Sequence, residues 1–566
     1  MSFNLGSISP ASAREAKVVR KPIAINGAAN SKKTFDSSSD DDSDSDSDSD
    51  SSSDSDDEKK SENSSKSKTS TKSKSASSKS NTSEKLNKSD KSKKPDSKSS
   101  DESDDDKKAK DKNKDEPKLS VTTHTITIAG KPVTYKVTTG YMMMRDFADK
   151  KREDSKDDKD KKKDSKDPRA LAKMFYIAYT RDDAGSSAKR PVTFSFNGGP
   201  GSASVWLHMG GLGPRRAQLT DRGEALPPPY KLQDNAYSWI DETDLVFIDP
   251  ISTGYSRAEP DEDPKNFHGY KEDIESVGEF IRLYVTKNKR WMSPKFIVGE
   301  SYGTTRAAGL SDYLQRRYGM YLNGIVLVSA VLNFGTLDFT AGNDTPFALY
   351  LPTYAATAWY HKKLSPELQS KPLSEVLRMA EDFASHEYLL ALFEGDRVAP
   401  DRKGEIAQKV SYFTGLPQDY VKQIDGRIPD DIFFTHLLMD RNRQLGRYDS
   451  RFTGLRYKPG RDDPEFDPSS EAVNGPFTAT INDYIRRELK FETELPYETV
   501  AKVWPWSYRN AQNKYLNVAE DLFKAMTRNP YLKVWLCCGY YDLATPYFAA
   551  KYTVDHSPHQ FAKMYG

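Results

Sequence analysis

Cysteine is nearly absent: there are two in 566 residues, adjacent at Cys537 and Cys538, which excludes a disulfide-built scaffold. They fall in an apolar run, where two small side chains in a buried strand are expected. Histidine is scarce too, with eight, and no His/Cys spacing fits a metal centre, so none is expected. No apolar run is long enough to cross a bilayer, and the longest, 324–332, is broken by Ser329. The start, MSFNLGSISPASAREAKVVRKP, holds no secretory apolar block. These absences predict no membrane span and no export signal, and they favour a cytoplasmic setting. The sequon at Asn343, Asp344 and Thr345 then carries no meaning. Net charge is only +1, so bulk electrostatics give no argument for a nucleic-acid partner.

Apolar side chains are missing from one stretch. Residues 31–118 hold four, Phe35, Ala76, Leu86 and Ala109, against 29 serines, 24 acids and 21 lysines. Such a segment cannot bury enough surface to offset its ordering entropy, so 1–118 is expected to be a disordered tail. It is dipolar: 31–64 carries a net −9 and 65–118 a net +6. Its repeated Ser-Asp pairs suit acid-directed phosphorylation, which would make it a regulated interaction segment; a solvated spacer is the plainer reading. A second charge run, 149–167, is expected to loop out between strands.

The rest has an ordinary apolar content. THTITIAGKPVTYKVTT alternates around a turn and reads as a hairpin. KMFYIAYT, RPVTFSFNGG, TDLVFIDP, PKFIVGES, LNGIVLVSA and LKVWLCCGYYD are short Val/Ile/Phe-rich runs of the kind buried on both faces. Helical patterns at 270–285 and 304–318 lie between them. Strands alternating with helices predict an α/β body around a mainly parallel sheet. Residues 347–500 read as mostly helical, a cap inserted before a last strand near Val534. The expected division is thus a tail (1–118), a core in two parts (119–346 and 501–566) and a cap (347–500).

KFIVGESYGTTRAAGL carries the strongest chemical signal. Ser301 lies in Gly-Glu-Ser-Tyr-Gly between an apolar strand and a helix, the setting of a nucleophile elbow. The glycines let strand and helix approach closely, and the Tyr302 N–H falls where an oxyanion would form. A second signal, FSFNGGPGSASVWLHMGGLGPRR, puts Asn197, Gly198, Gly199, Pro200 and Gly201 after an earlier strand. Loops of that kind supply the other oxyanion donor in α/β-hydrolases.

NGGPGS, NAYSWIDETDLVFIDPISTGYS, GESYG and GYYDLATP, in that order, resemble the serine carboxypeptidase family, and WLHMGGLGPRR and TAWYHKKL are most similar to its bacterial-type branch. The resemblance covers roughly 120–566. It implies an α/β-hydrolase fold with a helical cap, peptide or protein C-termini as substrate, and no metal or organic cofactor. Position by position, it implies Ser301 as nucleophile, Gly199 and Tyr302 as oxyanion donors, and Asn197, Gly198 and Glu300 as groups recognising the terminal carboxylate. It also implies Asp542 as the acid that orients a histidine, a place that agrees with the order of triad residues in this fold.

Two departures stand out. Where the secreted branch has a second glutamate before Leu-Gly-Pro, this chain has Gly211, which leaves Glu300 without a carboxyl partner and brings Arg215 or Arg216 forward as carboxylate receptors. The family's C-terminal Gly-His has no counterpart, so the sequence reads as ending short, with His556 and His559 as the remaining candidates for the base. His208 would border the site or pack, and His361, His386 and His436 fall in the cap. An acyltransferase or esterase on the same scaffold, or a peptide-binding protein without turnover, are the alternatives to a carboxypeptidase.

Overall fold

The computed structural model describes residues 119–146, 168–181 and 189–558. The tail, the run 149–167 and His559 lie outside them.

Alternating burial along β1 (Ser120–Ile128) and β2 (Lys131–Arg145) gives the expected hairpin, although the turn falls on Ala129 and Gly130, both at positive φ. Pro132 is already paired within β2. Antiparallel pairing continues through β3 (Ala170–Thr180) to β5 (Asp244–Ile248). From there β4 (Val192–Phe196), β6 (Lys295–Glu300), β7 (Gly324–Val328) and β8 (Lys533–Cys537) run parallel. The spatial order is β1-β2-β3-β5-β4-β6-β7-β8, with the short strand Arg257–Ala258 beside β3. Crossing from β4 over to β5 and back to β6 opens a switch point at the C-terminal end of β4, where α/β sheets bind ligands.

Both faces of the sheet are covered, which is why β4 and β5 are buried at every residue. On one face Phe194, Val246 and Ile297 pack against α1 (Tyr270–Lys287), α2 (Tyr302–Tyr318) and α7 (Ala519–Arg528). On the other, Phe247 and Val298 meet Leu207, Leu212 and Phe477 of α6 (Pro468–Asp483). Each such fully buried side chain contributes about 1.5–3 kcal/mol. Helix α2 ends on Gly319 in the left-handed conformation, with Arg316 and Arg317 in its last turn where they complement the dipole.

Helices α3 (Thr345–Tyr360), α4 (Leu373–Phe383) and α5 (Pro400–Thr414) gather a separate cluster around Tyr354, Val376, Phe383 and Val410. Leu543, from the loop after β8, is buried in that cluster. Among the described residues no helix is long and apolar enough to cross a membrane.

β8 differs from expectation. It has β7 on one side and no described strand on the other, so it is half-exposed, and Trp535 keeps 59% of its surface. Cys537 and Cys538 are therefore only partly covered, rather than sealed in a central strand.

Candidate active site

Ser301 is the hinge between β6 and α2, at φ 56° and ψ −129°, a conformation that L-residues hold only under constraint. The constraint comes from both sides. Its N–H donates to the Val328 carbonyl at 3.0 Å, and its carbonyl accepts from Thr304 Oγ1 at 2.7 Å. A Cβ on Gly299 would collide with the Gly303 backbone, and one on Gly303 would lie 2.9 Å from the Phe196 carbonyl oxygen. Only glycine at both flanks lets the turn close so tightly.

The loop after β4 lies against this turn. A Cβ on Gly198 would strike the Tyr302 nitrogen, and Gly199 has φ +103°. Among the described residues, neither the Gly199 nor the Tyr302 N–H has a carbonyl partner. Asn197 is spent internally: its Nδ2 donates to Glu300 Oε2 at 2.8 Å, and its Oδ1 accepts from the Leu207 N–H at 3.0 Å. Its carbonyl accepts from Arg306 at 2.7 Å, and Arg306 forms a fully buried ion pair with Asp273, also at 2.7 Å.

Glu300 is buried, and Gly211, where the resemblance would place a second glutamate, offers its carbonyl to Asn235. Burial first, then the charge of Asp542, pushes the Glu300 carboxyl up to about 7, against the bonds from Asn197 and the Gly198 N–H that lower it. Asp542, in the loop after β8, is also buried. Its Oδ1 accepts from the N–H groups of Ala544 (2.9 Å) and Thr545 (3.0 Å), and its Oδ2 accepts from Thr545 Oγ1 at 2.8 Å. Burial raises its carboxyl despite these bonds and one from Ser329.

Ser301, Gly199, Glu300 and Tyr302 floor a cavity of about 540 Å³. Its walls carry Trp206, Val473, Tyr350 and Tyr448, with Arg447 and Asp430 from the capping segment, and Ala544 and Thr545 bring the Asp542 loop to its edge. Asn197 and Gly198 sit behind the floor, held to Glu300 and to the turn.

No described histidine lines this cavity. His208 is buried away from it, stacked on Phe247 at 4.2 Å and bonded to Tyr179 Oη at 2.6 Å, and burial pushes it down to about 3. His361 bonds the Ser450 carbonyl, while His386 and His436 are satisfied by their own helices. His556 packs at a tilt against Tyr552, ring centroids 4.0 Å apart, and lines a different cavity with Asn333 and Arg528. Nor do Arg215 and Arg216 reach Ser301. Arg215 is paired with Asp234 and Glu488 on the ribbon formed by Arg215–Ala217 and Leu232–Asp234. That ribbon pulls both arginines away from the cavity.

Three features escape sequence reasoning. Asp249, buried and pushed up to about 6, takes both the N–H and the hydroxyl of Ser204 and so staples the loop after β4. The Arg306–Asp273 pair and Arg447 are the others. The spacing of Glu272 and Asp273 in a first helical turn reads only as dipole complementation.

Residues 164–333 match the family model for serine carboxypeptidase, a span that contains Asn197, Gly198, Gly199, Glu300, Ser301 and Tyr302 but not Asp542. The chain is 32% identical over 135 residues to the pheromone-processing carboxypeptidase of Saccharomyces cerevisiae, covering 23% of this chain and 17% of that one. It is 29% identical over 205 residues to a serine carboxypeptidase-like protein of Oryza sativa subsp. japonica, covering 35% and 39%. The matched segments thus span well under half the length of these relatives. Among solved structures, a prohormone-processing carboxypeptidase from Saccharomyces cerevisiae aligns with a TM-score of 0.41 at 15% identity, over 74% of this chain and 76% of that one. The resemblance carried by the motifs is a match to the serine carboxypeptidase family over residues 164–333.

Proposed function

We propose that this protein is a serine-type hydrolase that removes residues from the C-termini of peptides through an acyl-enzyme on Ser301. The observation that carries this reading is the convergence, on one cavity floor, of the Ser301 turn with two N–H groups that no carbonyl of the described residues occupies, those of Gly199 and Tyr302. Ser301 Oγ attacks the carbonyl carbon of the last peptide bond, and its proton passes to a base. The carbonyl oxygen becomes anionic between the two N–H groups. Collapse breaks the C–N bond, and the terminal residue leaves with that proton on its nitrogen. Water then hydrolyses the ester by the same route. Glu300 faces the side that the terminal residue enters, held from behind by Asn197 and by the Gly198 N–H, and Asp542 orients the base.

A serine hydroxyl is a weak nucleophile at neutral pH unless an imidazole takes its proton. The described residues put none on the cavity, and His559 lies outside them. The same observation favours one second reading, a peptide-binding protein without turnover. A fluorophosphonate probe separates the two. Rapid labelling lost in Ser301→Ala, with release of the terminal residue from a peptide acid, supports the hydrolase. An unlabelled chain that still binds peptides supports the binding protein.

A further inference from the structure

The wall of the Ser301 cavity carries a guanidinium whose bonding is incomplete among the described residues. Arg447 lies in the turn after the short strand Arg443–Leu445, where Gly446 N–H meets the Phe452 carbonyl at 2.9 Å. Its backbone is fixed twice, by its N–H to Asp467 Oδ1 at 3.0 Å and by its carbonyl to the Leu543 N–H at 2.9 Å. Its side chain is fixed once, by Nε to Asp430 Oδ2 at 3.3 Å. Both terminal amino groups are without a partner among the described residues, and the side chain is 43% exposed where it lines the cavity.

We infer that Arg447 is the receptor for a substrate carboxylate in the Ser301 cavity, a role that rests on the proposed peptidase reading and gives it a substrate chemistry. The planar fork left free by the Nε bond is the geometry that takes a carboxylate in two parallel hydrogen bonds. Tyr350 and Tyr448 flank it, so a bound carboxylate is partly shielded from water and the charge-assisted bonds keep more of their strength. The floor supplies no cation of its own. Asn197 is committed to Glu300 and Leu207, and an ionised Glu300 repels an anion. The cavity's other cation, Lys514, is exposed on the rim. Asp430 holds the guanidinium in place through Nε and leaves the fork open.

Two carboxylates are available on a peptide, the terminal one and that of an acidic side chain. The test uses equilibrium binding to Ser301→Ala protein, which needs no turnover and is therefore independent of whether Ser301 reacts. Four N-benzoyl dipeptides serve as ligands: an apolar acid, its C-terminal amide, and amides carrying Glu or Gln. Arg447→Gln is expected to weaken the apolar acid about 10- to 100-fold if the terminal carboxylate is held, or the Glu amide by the same factor if the side chain is. The matched neutral ligand stays within about twofold, and Arg447→Lys recovers part of the loss. The inference is overturned if Arg447→Gln weakens charged and neutral ligands alike, or if intact Arg447 binds them equally. Fluorophosphonate labelling of the Ser301 protein, measured alongside, reports on the peptidase reading separately.

Discussion

The Leu543 N–H donates to the Arg447 carbonyl at 2.9 Å, so the turn that contains Asp542 is tied to the turn that sets Arg447 on the cavity wall. A second bond, Ser450 N–H to the Tyr541 carbonyl at 2.9 Å, closes the same seam. Leu543 itself is buried among the helices of the capping segment. Sheet and cap therefore position the Asp542 loop jointly, and a disturbance of either reaches the floor of the site.

Gly198→Ala is expected to slow covalent labelling of Ser301 by orders of magnitude while the protein still folds. The added methyl has to displace the Tyr302 nitrogen, an oxyanion donor in the proposed reaction. Loss of one such donor costs about 10²–10³-fold in rate. Labelling kinetics beside far-ultraviolet circular dichroism check this, and labelling at the wild-type rate would refute it.

Glu300 ordinarily titrates near 4.5 and is pushed up to about 7 in the fold. Between those values the folded chain keeps a proton that the unfolded chain has lost, so this group makes stability fall as pH rises from about 4.5 to about 7. Glu300→Gln should flatten that part of the curve of Tm against pH. It should not remove the slope altogether, because Asp249, pushed up to about 6, acts with the same sign.

Different substitutions separate the turn-forming bonds of Asp542 from the orienting role proposed for it. Asp542→Ala strips the acceptor from the Ala544 and Thr545 N–H groups and should cost about 1–3 kcal/mol in denaturant unfolding. Asp542→Asn keeps an acceptor there, so stability should hold. Turnover, wherever it is measurable, should drop by about 10⁴-fold as in other triads. Equal activity in the Asn variant would leave Asp542 as a turn residue only.

The Arg306–Asp273 pair is buried at 1% and 3% side-chain exposure. Removing one partner strands the other charge, so Arg306→Met or Asp273→Leu should lose about 3–5 kcal/mol in urea unfolding. Replacing both together should cost much less. Arg306→Met also releases the Asn197 carbonyl, and labelling of Ser301 should slow even where the chain stays folded.

Local constraints are what the sequence made legible. Two glycines flanking Ser301 and a run of five buried residues in β4 or β5 each encode their own geometry, and the hairpin β1–β2 follows from alternation. That β8 has a single described neighbour was not legible, since VWLC reads as apolar whether a strand has one neighbour or two. Arg215 came forward for the site because Gly211 replaces the second glutamate, but a cross-ribbon pair with Asp234 and a contact from Glu488 hold it elsewhere. Arg447 lies far along the chain from Ser301, and nothing local in its surroundings marks it. Asp249 was invisible for the same reason: its partner, Ser204, is 45 positions away.

The tight fit of Gly198, Gly299 and Gly303 against neighbouring backbone divides the cavity into two kinds of material for anyone redesigning it. The floor is built from main-chain atoms with no room to spare, so its chemistry is fixed and side-chain substitution there only breaks it. The wall is built from side chains on the capping segment: Tyr350 and Val473 are buried in the core, whereas Tyr448 is exposed and open to exchange. Substitutions confined to the exposed part of the wall would therefore vary what the cavity presents while leaving the Ser301 turn untouched.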